Sequence, residues 1–200
     1  KQRDEFGRTV RFVGDLNSDG FDDVVIGAPF ADPNGASSGK AYVIWGTDRI
    51  YKEPLDLSDP DAAKYIRILG EQGSNNFFGS SIGGRNDVTG DGIDDFIVGA
   101  RGAGDSRAGC AYVFFGRRKG YPELIDLETE QGNFLTRICG EEAGDEFGLS
   151  VGIADDVNGD SIADIIIGAP KVDIGGLDDV GRSYVMFGSD EEIIFSDSFE

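Results

Sequence analysis

The chain has no histidine and only two cysteines, one methionine and one tryptophan. Without histidine or a cysteine cluster, transition-metal centres are disfavoured, and no Ser or Cys stands beside a plausible base for nucleophilic catalysis. No run of 18 apolar residues exists, so no segment reads as a membrane-spanning helix. Basic residues are scarce, 18 against 38 acidic ones, and the formal charge of −20 argues against nucleic acid or an anionic membrane surface as partner. Only six prolines occur, but there are 31 glycines among the 200 residues, which points to many turns rather than long helices. No signal-like start is visible, and Lys1 inside a repeating pattern suggests a processed or excised chain.

Oxygen-bearing side chains dominate instead, and they recur at a fixed spacing. Asp15, Asn17, Asp19 and Asp23 stand at the first, third, fifth and ninth positions of one stretch, with Gly20 sixth and Phe21 seventh. The pattern returns at Asp87, Thr89, Asp91, Ile93 and Asp95, and again at Asp156, Asn158, Asp160, Ile162 and Asp164. The first residues lie 72 and then 69 positions apart (15 to 87, 87 to 156), so the chain is built of repeats. Boundaries follow at 1–77, 78–146 and 147–200, each opening with Phe-Gly (Phe6-Gly7, Phe78-Gly79, Phe147-Gly148) nine residues before the first loop Asp.

Each unit reads as short strands. One precedes the loop. A dense apolar run follows it, Val24–Ala28, Phe96–Ala100 or Ile165–Ala169. These runs are too short and β-branched for helices and do not alternate with polar residues, so both faces should be buried. Arg101 stands where the other units have Pro29 and Pro170, so the second unit is expected to leave its strand differently. A variable, Gly- and Asp-rich segment (about 30–39, 102–109 and 171–181) leads to an aromatic strand containing Tyr42 and Trp45, Tyr112, or Tyr184. Packing is the default role of these rings.

The first two units add a fourth apolar segment, at Ile66–Leu69 and Arg137–Cys139. The third unit shows none, its tail matching the linking stretches Leu55–Leu57 and Ile125–Leu127, so that unit is expected to be incomplete. Four-stranded units with buried central strands predict an all-β fold, a segment of a β-propeller of about three blades. Three blades cannot close such a ring, so further blades of a parent chain or a homo-oligomer are the expected partners. The two cysteines fall on neighbouring strands of the second unit, and two separate packed thiols are favoured over a bridge.

All-oxygen ligands at alternate positions of a bent loop suit a hard cation, Ca²⁺ before Mg²⁺, with the backbone carbonyl of the seventh residue as a further donor. The expected metal ligands are therefore Asp15, Asn17, Asp19, Phe21 and Asp23; Asp87, Thr89, Asp91, Ile93 and Asp95; and Asp156, Asn158, Asp160, Ile162 and Asp164, for up to three ions. The loop is not an EF-hand, because position twelve is Ile26, Val98 or Ile167 rather than Glu. Ser161 replaces the bending glycine, so the third site should be strained or weaker. Asp22 and Asp94, at the eighth position, read as solvated charges.

Phe-Gly, the acidic loop and Gly-Ala-Pro (Gly27-Ala28-Pro29, Gly168-Ala169-Pro170) together resemble the FG-GAP repeat of the integrin α-subunit family. That resemblance covers essentially the whole chain. It implies a β-propeller, calcium in hairpin loops on one face, and extracellular or cell-surface adhesion or ligand recognition without catalysis. Two other functions fit the same residues. One is the propeller portion of a secreted hydrolase whose active site lies elsewhere. The other is a carbohydrate-binding propeller using Trp45, Tyr42 or Tyr112.

Overall fold

The computed structural model describes residues 3–48, 65–130, 133–190 and 194–199. The stretch Leu55–Leu57 and residue Ile193 lie outside the described residues. The described chain is all-β, in three sheets. The first holds β1 (Thr9–Gly14), β2 (Asp23–Ala28), β3 (Lys40–Ile44) and β4 (Tyr65–Leu69) in that order. The second holds β5 (Ser81–Asn86), β6 (Asp95–Ala100), β7 (Cys110–Phe114) and β9 (Leu135–Cys139). β8 (Leu124–Asp126) belongs to the first sheet, where it pairs parallel with β4, Ile68 opposite Ile125.

The third sheet is β10 (Ser150–Ile153), β11 (Ile165–Ala169), β12 (Arg182–Phe187) and β13 (Ile194–Phe199). β13 pairs antiparallel with β12, Met186 opposite Phe195. This corrects the expectation of a missing fourth strand. The tail was not legible as a strand because its sequence, IFSDSF, resembles neither YIRIL of β4 nor LTRIC of β9.

Burial of the second strands divides by sheet. β6 is buried along its whole length, whereas β2 and β11 are partly open. The reason is the stacking order. β5 lies against β1 on one side and β10 on the other, so the second sheet is the middle layer. Side chains alternate along a strand. Phe96 and Val98 accordingly join a core with Val25, Val43, Ile68 and Phe78, while Ile97 joins a core with Val88, Phe147, Ile165 and Ile167. Burying both faces was expected of all three second strands and holds in full only for the middle one.

Arg101 does not alter its strand's exit. β6 ends at Ala100 as β2 ends at Ala28, and the same turn follows, Ala103 N–H donating to the Ala100 carbonyl at 2.9 Å and Ala31 N–H to that of Ala28 at 3.1 Å. The arginine instead lies over the Phe77 ring at 4.5 Å and pairs with Glu146 at 3.5 Å, so it touches the residues that stand just before the second and third Phe-Gly pairs.

Cys110 and Cys139 form a disulfide, against the expectation of separate thiols. The antiparallel register of β7 and β9 sets the two directly opposite, with Cα atoms 4.0 Å apart. Facing positions of an antiparallel pair bring side chains close enough to bond.

Candidate metal loops and their hydrogen-bond scheme

Each acidic loop joins the first and second strands of its sheet, and the variable segments join the second and third. Antiparallel pairing therefore puts the acidic loops at one end of every sheet and the variable segments at the other.

The first Asp of each loop is its hub. Asp15 accepts the N–H groups of Asp19 (3.0 Å) and Gly20 (2.8 Å). Asp87 accepts those of Thr89, Gly90, Asp91 and Gly92, and the Thr89 hydroxyl at 3.0 Å. Asp156 accepts those of Gly159, Asp160 and Ser161. Asp side chains stabilise turns in this way by taking up backbone donors that no strand partner satisfies. These bonds, that of Ser161 foremost, hold the Asp156 carboxyl below the ordinary carboxylate range.

In the first and third loops the third and fifth positions bond to each other, and in all three the fifth bonds to the loop backbone. Asn17 and Asn158 each accept the N–H of the following Asp at 2.9 Å and donate their amide to its carboxylate. Asp19, Asp91 and Asp160 accept the N–H of Phe21, Ile93 and Ile162. Phe21 is exposed, Ile93 buried and Ile162 between the two.

The ninth Asp closes the loop. Asp23 accepts from Leu16 N–H (2.9 Å) and Gly46 N–H (2.8 Å) on separate oxygens. Asp95 does the same with Val88 (2.8 Å) and Gly116 (2.7 Å), and Asp164 with Val157 (2.7 Å) and Gly188 (3.0 Å). All three carboxylates are buried. Burial pushes Asp23 up to about 6 and Asp95 up to about 7. The backbone donors oppose this rise, and the like charges of the first and fifth loop carboxylates add to it.

Gly46, Gly116 and Gly188 are functional positions that the sequence did not disclose. A Cβ on Gly116 would meet the Asp94 carbonyl and Ile93, and one on Gly46 or Gly188 would meet the matching atoms of its own loop. Glycine at the end of each aromatic strand was visible in the repeat. The close approach of the loop to it was not.

Asp94 departs from the expectation of a solvated charge. Its Oδ2 accepts the Asp15 N–H at 3.0 Å, so it links the second loop to the first. Asp22 is exposed and faces Arg85 at 3.5 Å. Other ties between loops run through the backbone, Arg117 N–H to the Leu16 carbonyl (2.8 Å) and Ser189 N–H to that of Val88 (3.1 Å).

A hard cation needs six to eight oxygens. Each loop supplies side-chain oxygens at four positions, with no nitrogen or sulfur ligand type competing, so the donor set fits Ca²⁺. Among the described residues, no three carboxylates are already drawn into one metal-holding cluster, and the loop oxygens accept backbone N–H groups. A carboxylate oxygen carries two lone pairs, so one N–H bond leaves each oxygen able to take a second partner. Of the aromatic residues considered as a sugar platform, Tyr112 is buried and Trp45 stacks on Tyr121 with 6.2 Å between ring centres.

The FG-GAP repeat model matches residues 6–44 and 147–186, the first and third loops with the strands on either side. The chain belongs to the FG-GAP repeat family. It is 34% identical over 166 residues to phosphatidylinositol-glycan-specific phospholipase D of Bos taurus, covering 81% of this chain and 18% of that protein. To integrin alpha pat-2 of Caenorhabditis elegans it is 31% identical over 172 residues, covering 80% and 13%. To integrin alpha-5 of Xenopus laevis it is 32% identical over 174 residues, covering 84% and 15%. The chain thus spans less than a fifth of each relative's length. The middle unit falls outside the matched residues, yet its loop repeats the bonds that the first, fifth and ninth Asp accept in the other two.

Proposed function

We propose that this chain is a calcium-stabilised, non-catalytic segment of an extracellular FG-GAP β-propeller that serves adhesion or ligand recognition. The observation that carries the reading is the threefold repetition of one loop scheme, in which a buried ninth-position Asp ties the loop to the end of the third strand. The residues that would hold the ion are the first, third, fifth and ninth of each loop, Asp15 to Asp23, Asp87 to Asp95 and Asp156 to Asp164, with the carbonyls of Phe21, Ile93 and Ile162. A bound divalent cation would supply positive charge between the buried ninth-position carboxylate and the more exposed first and fifth ones, whose like charges raise its pKa. Three stacked antiparallel sheets that meet through their first strands, the first extended by β8, support the propeller, and the disulfide supports an oxidising compartment. The variable segments at the opposite end of the sheets are the proposed recognition surface, with further blades of the same architecture beside it.

Thermal melts with calcium, with magnesium and with chelator test this. Calcium at a hundredfold excess over Kd should add about 2.7 kcal/mol per site, and magnesium less. An unchanged melting temperature in EDTA would remove calcium from the proposal.

A second reading has its own support, the similarity to a phospholipase D. In that case the chain is the propeller portion of a secreted hydrolase, with catalysis outside these residues. Turnover of phosphoester substrates by the purified chain alone would contradict both readings.

A further inference from the structure

Consecutive loops are tied at one repeat position by two different means. Between the first and second, Asp94 at the eighth position of the second loop extends its carboxylate to the Asp15 N–H at 3.0 Å. Between the second and third, the eighth residue is Ala163, and its backbone N–H donates to the Asp87 carbonyl at 3.1 Å. Both pairs also share a backbone tie from the residue after the closing glycine, Arg117 to Leu16 and Ser189 to Val88. The carboxylate of Asp94 is therefore an addition peculiar to the first pair.

The residue before each loop is matched to that difference. Gly14 precedes Asp15, and a Cβ there would fall on the Asp94 carboxyl group. Asn86 precedes Asp87, and its amide reaches across to the Ala154 carbonyl at 3.3 Å and to the Asp155 carboxylate at 3.1 Å. Glycine thus makes room where the next loop brings a carboxylate. Where the next loop brings alanine, the preceding residue carries the bridging side chain itself.

Asp15 is the hub of the first loop, its carboxylate accepting the N–H groups of Asp19 and Gly20. An outer partner that fixes a metal ligand sets its orientation, and losing such a partner costs about 10–100-fold in affinity. Asp94 also brings negative charge to the edge of the first loop, which favours a cation there and repels Asp15 without one. Asp94 stands between Ile93 and Asp95, both among the residues that would hold an ion in the second loop. Ordering those two orders the carboxylate that reaches Asp15. Asp22, at the same repeat position, is exposed and faces Arg85 instead.

We propose that Asp94 is a positioning residue for calcium in the first loop, and that through it an ion in the second loop tightens the first. The inference rests on the calcium reading above. Coupling of this kind is reciprocal, so an ion in the first loop tightens the second by the same factor. The third loop has no carboxylate at Ala163 and is not joined to the second in this way.

Calcium calorimetry on the 200-residue chain, with terbium as a luminescent stand-in, tests the proposal. Trp45 is the only tryptophan, and the next residue, Gly46, closes the first loop on Asp23 at 2.8 Å. Tryptophan-sensitised terbium emission, displaced by calcium, therefore reports the first loop. Asp94→Asn keeps an oxygen for the Asp15 N–H and removes the charge. It should weaken the first-loop site about tenfold and leave the third unchanged, while Asp22→Asn changes neither. Asp87→Asn, which disables the second loop, should weaken the first-loop site too, and adding Asp94→Asn to it should cost little more. Asp91→Asn replaces Asp87→Asn if circular dichroism shows the latter unfolded. First-loop affinity unchanged in Asp94→Asn, with calcium still bound, would overturn the inference and leave the calcium reading standing. Equal weakening of all three sites would show a purely structural role and overturn it as well. Effects of the two substitutions that simply add would rule out the coupling. A wild type that takes up no calcium would remove both the reading and the inference.

Discussion

The carboxylate of Asp94 accepts the backbone N–H of Asp15 at 3.0 Å, so the eighth residue of one loop fixes the first residue of the loop before it. Asp22, at the same repeat position, makes only an exposed ion pair with Arg85. Hydrogen bonds to charged groups contribute about 1.5–3 kcal/mol, and exposed ion pairs about 0–1 kcal/mol. Asp94→Ala should therefore lower urea stability by about 1–2 kcal/mol, at the low end because the site is half-exposed, whereas Asp22→Ala should leave it nearly unchanged. Equal effects from the two would count against a special role for Asp94.

The metal-free chain should lose stability as pH rises from about 4 to about 7. Burial raises the folded-state values of Asp23 and Asp95 to about 6 and about 7, above the 3.8 of the free side chain. Between those limits the folded chain binds more protons than the unfolded one, so its stability falls with pH. Calcium requires the deprotonated loop, so its stabilising effect should grow over the same window. Melting temperatures in EDTA and in calcium at pH 5 and pH 8 check both signs. A metal-free chain more stable at pH 8 than at pH 5 would contradict the assignment.

Ser161 occupies the bend of the third loop with φ of 75°, where Gly20 and Gly92 have 92° and 81°. A left-handed backbone costs a residue with a Cβ about 1–2 kcal/mol. Ser161→Gly should stabilise the chain by about 1 kcal/mol and tighten the third calcium site relative to the other two. Calorimetric titration of wild type and variant measures the change. The loss of side-chain contacts is no obstacle, because Ser161 contributes its N–H to Asp156 and glycine keeps it.

Replacing Cys110 and Cys139 together by Ala should destabilise the chain by about 3 kcal/mol, the magnitude expected for a closed loop of this length. The bridge spans 29 residues and fastens the edge strand β9 to β7. Hydrogen exchange should rise first in β9. Uniform acceleration across all three sheets would show that the bridge acts on the whole chain instead.

The acidic loops were legible because their oxygens keep one spacing in all three units, from Asp15 to Asp23, Asp87 to Asp95 and Asp156 to Asp164. The strands around them were legible from their apolar runs. What escaped was set by registers between segments far apart in the chain. Periodicity placed Cys110 and Cys139 on neighbouring strands but could not align them. Gly46, Gly116 and Gly188 gave no local sign that a loop closes on them. The tail from Ile194 to Phe199 is recognisable as a fourth strand only once its pairing with β12 is known, because its sequence differs from β4 and β9.

β8 comes after the whole of β5, β6 and β7 in the chain, yet it completes the sheet that begins with β1. A break in the chain before Phe78 would therefore not release a self-contained module. The first sheet would lose its fifth strand, and the arm between β7 and β9 would lose its anchor on β4. Shuffling or transplanting these units one at a time should fail where moving the first two together succeeds.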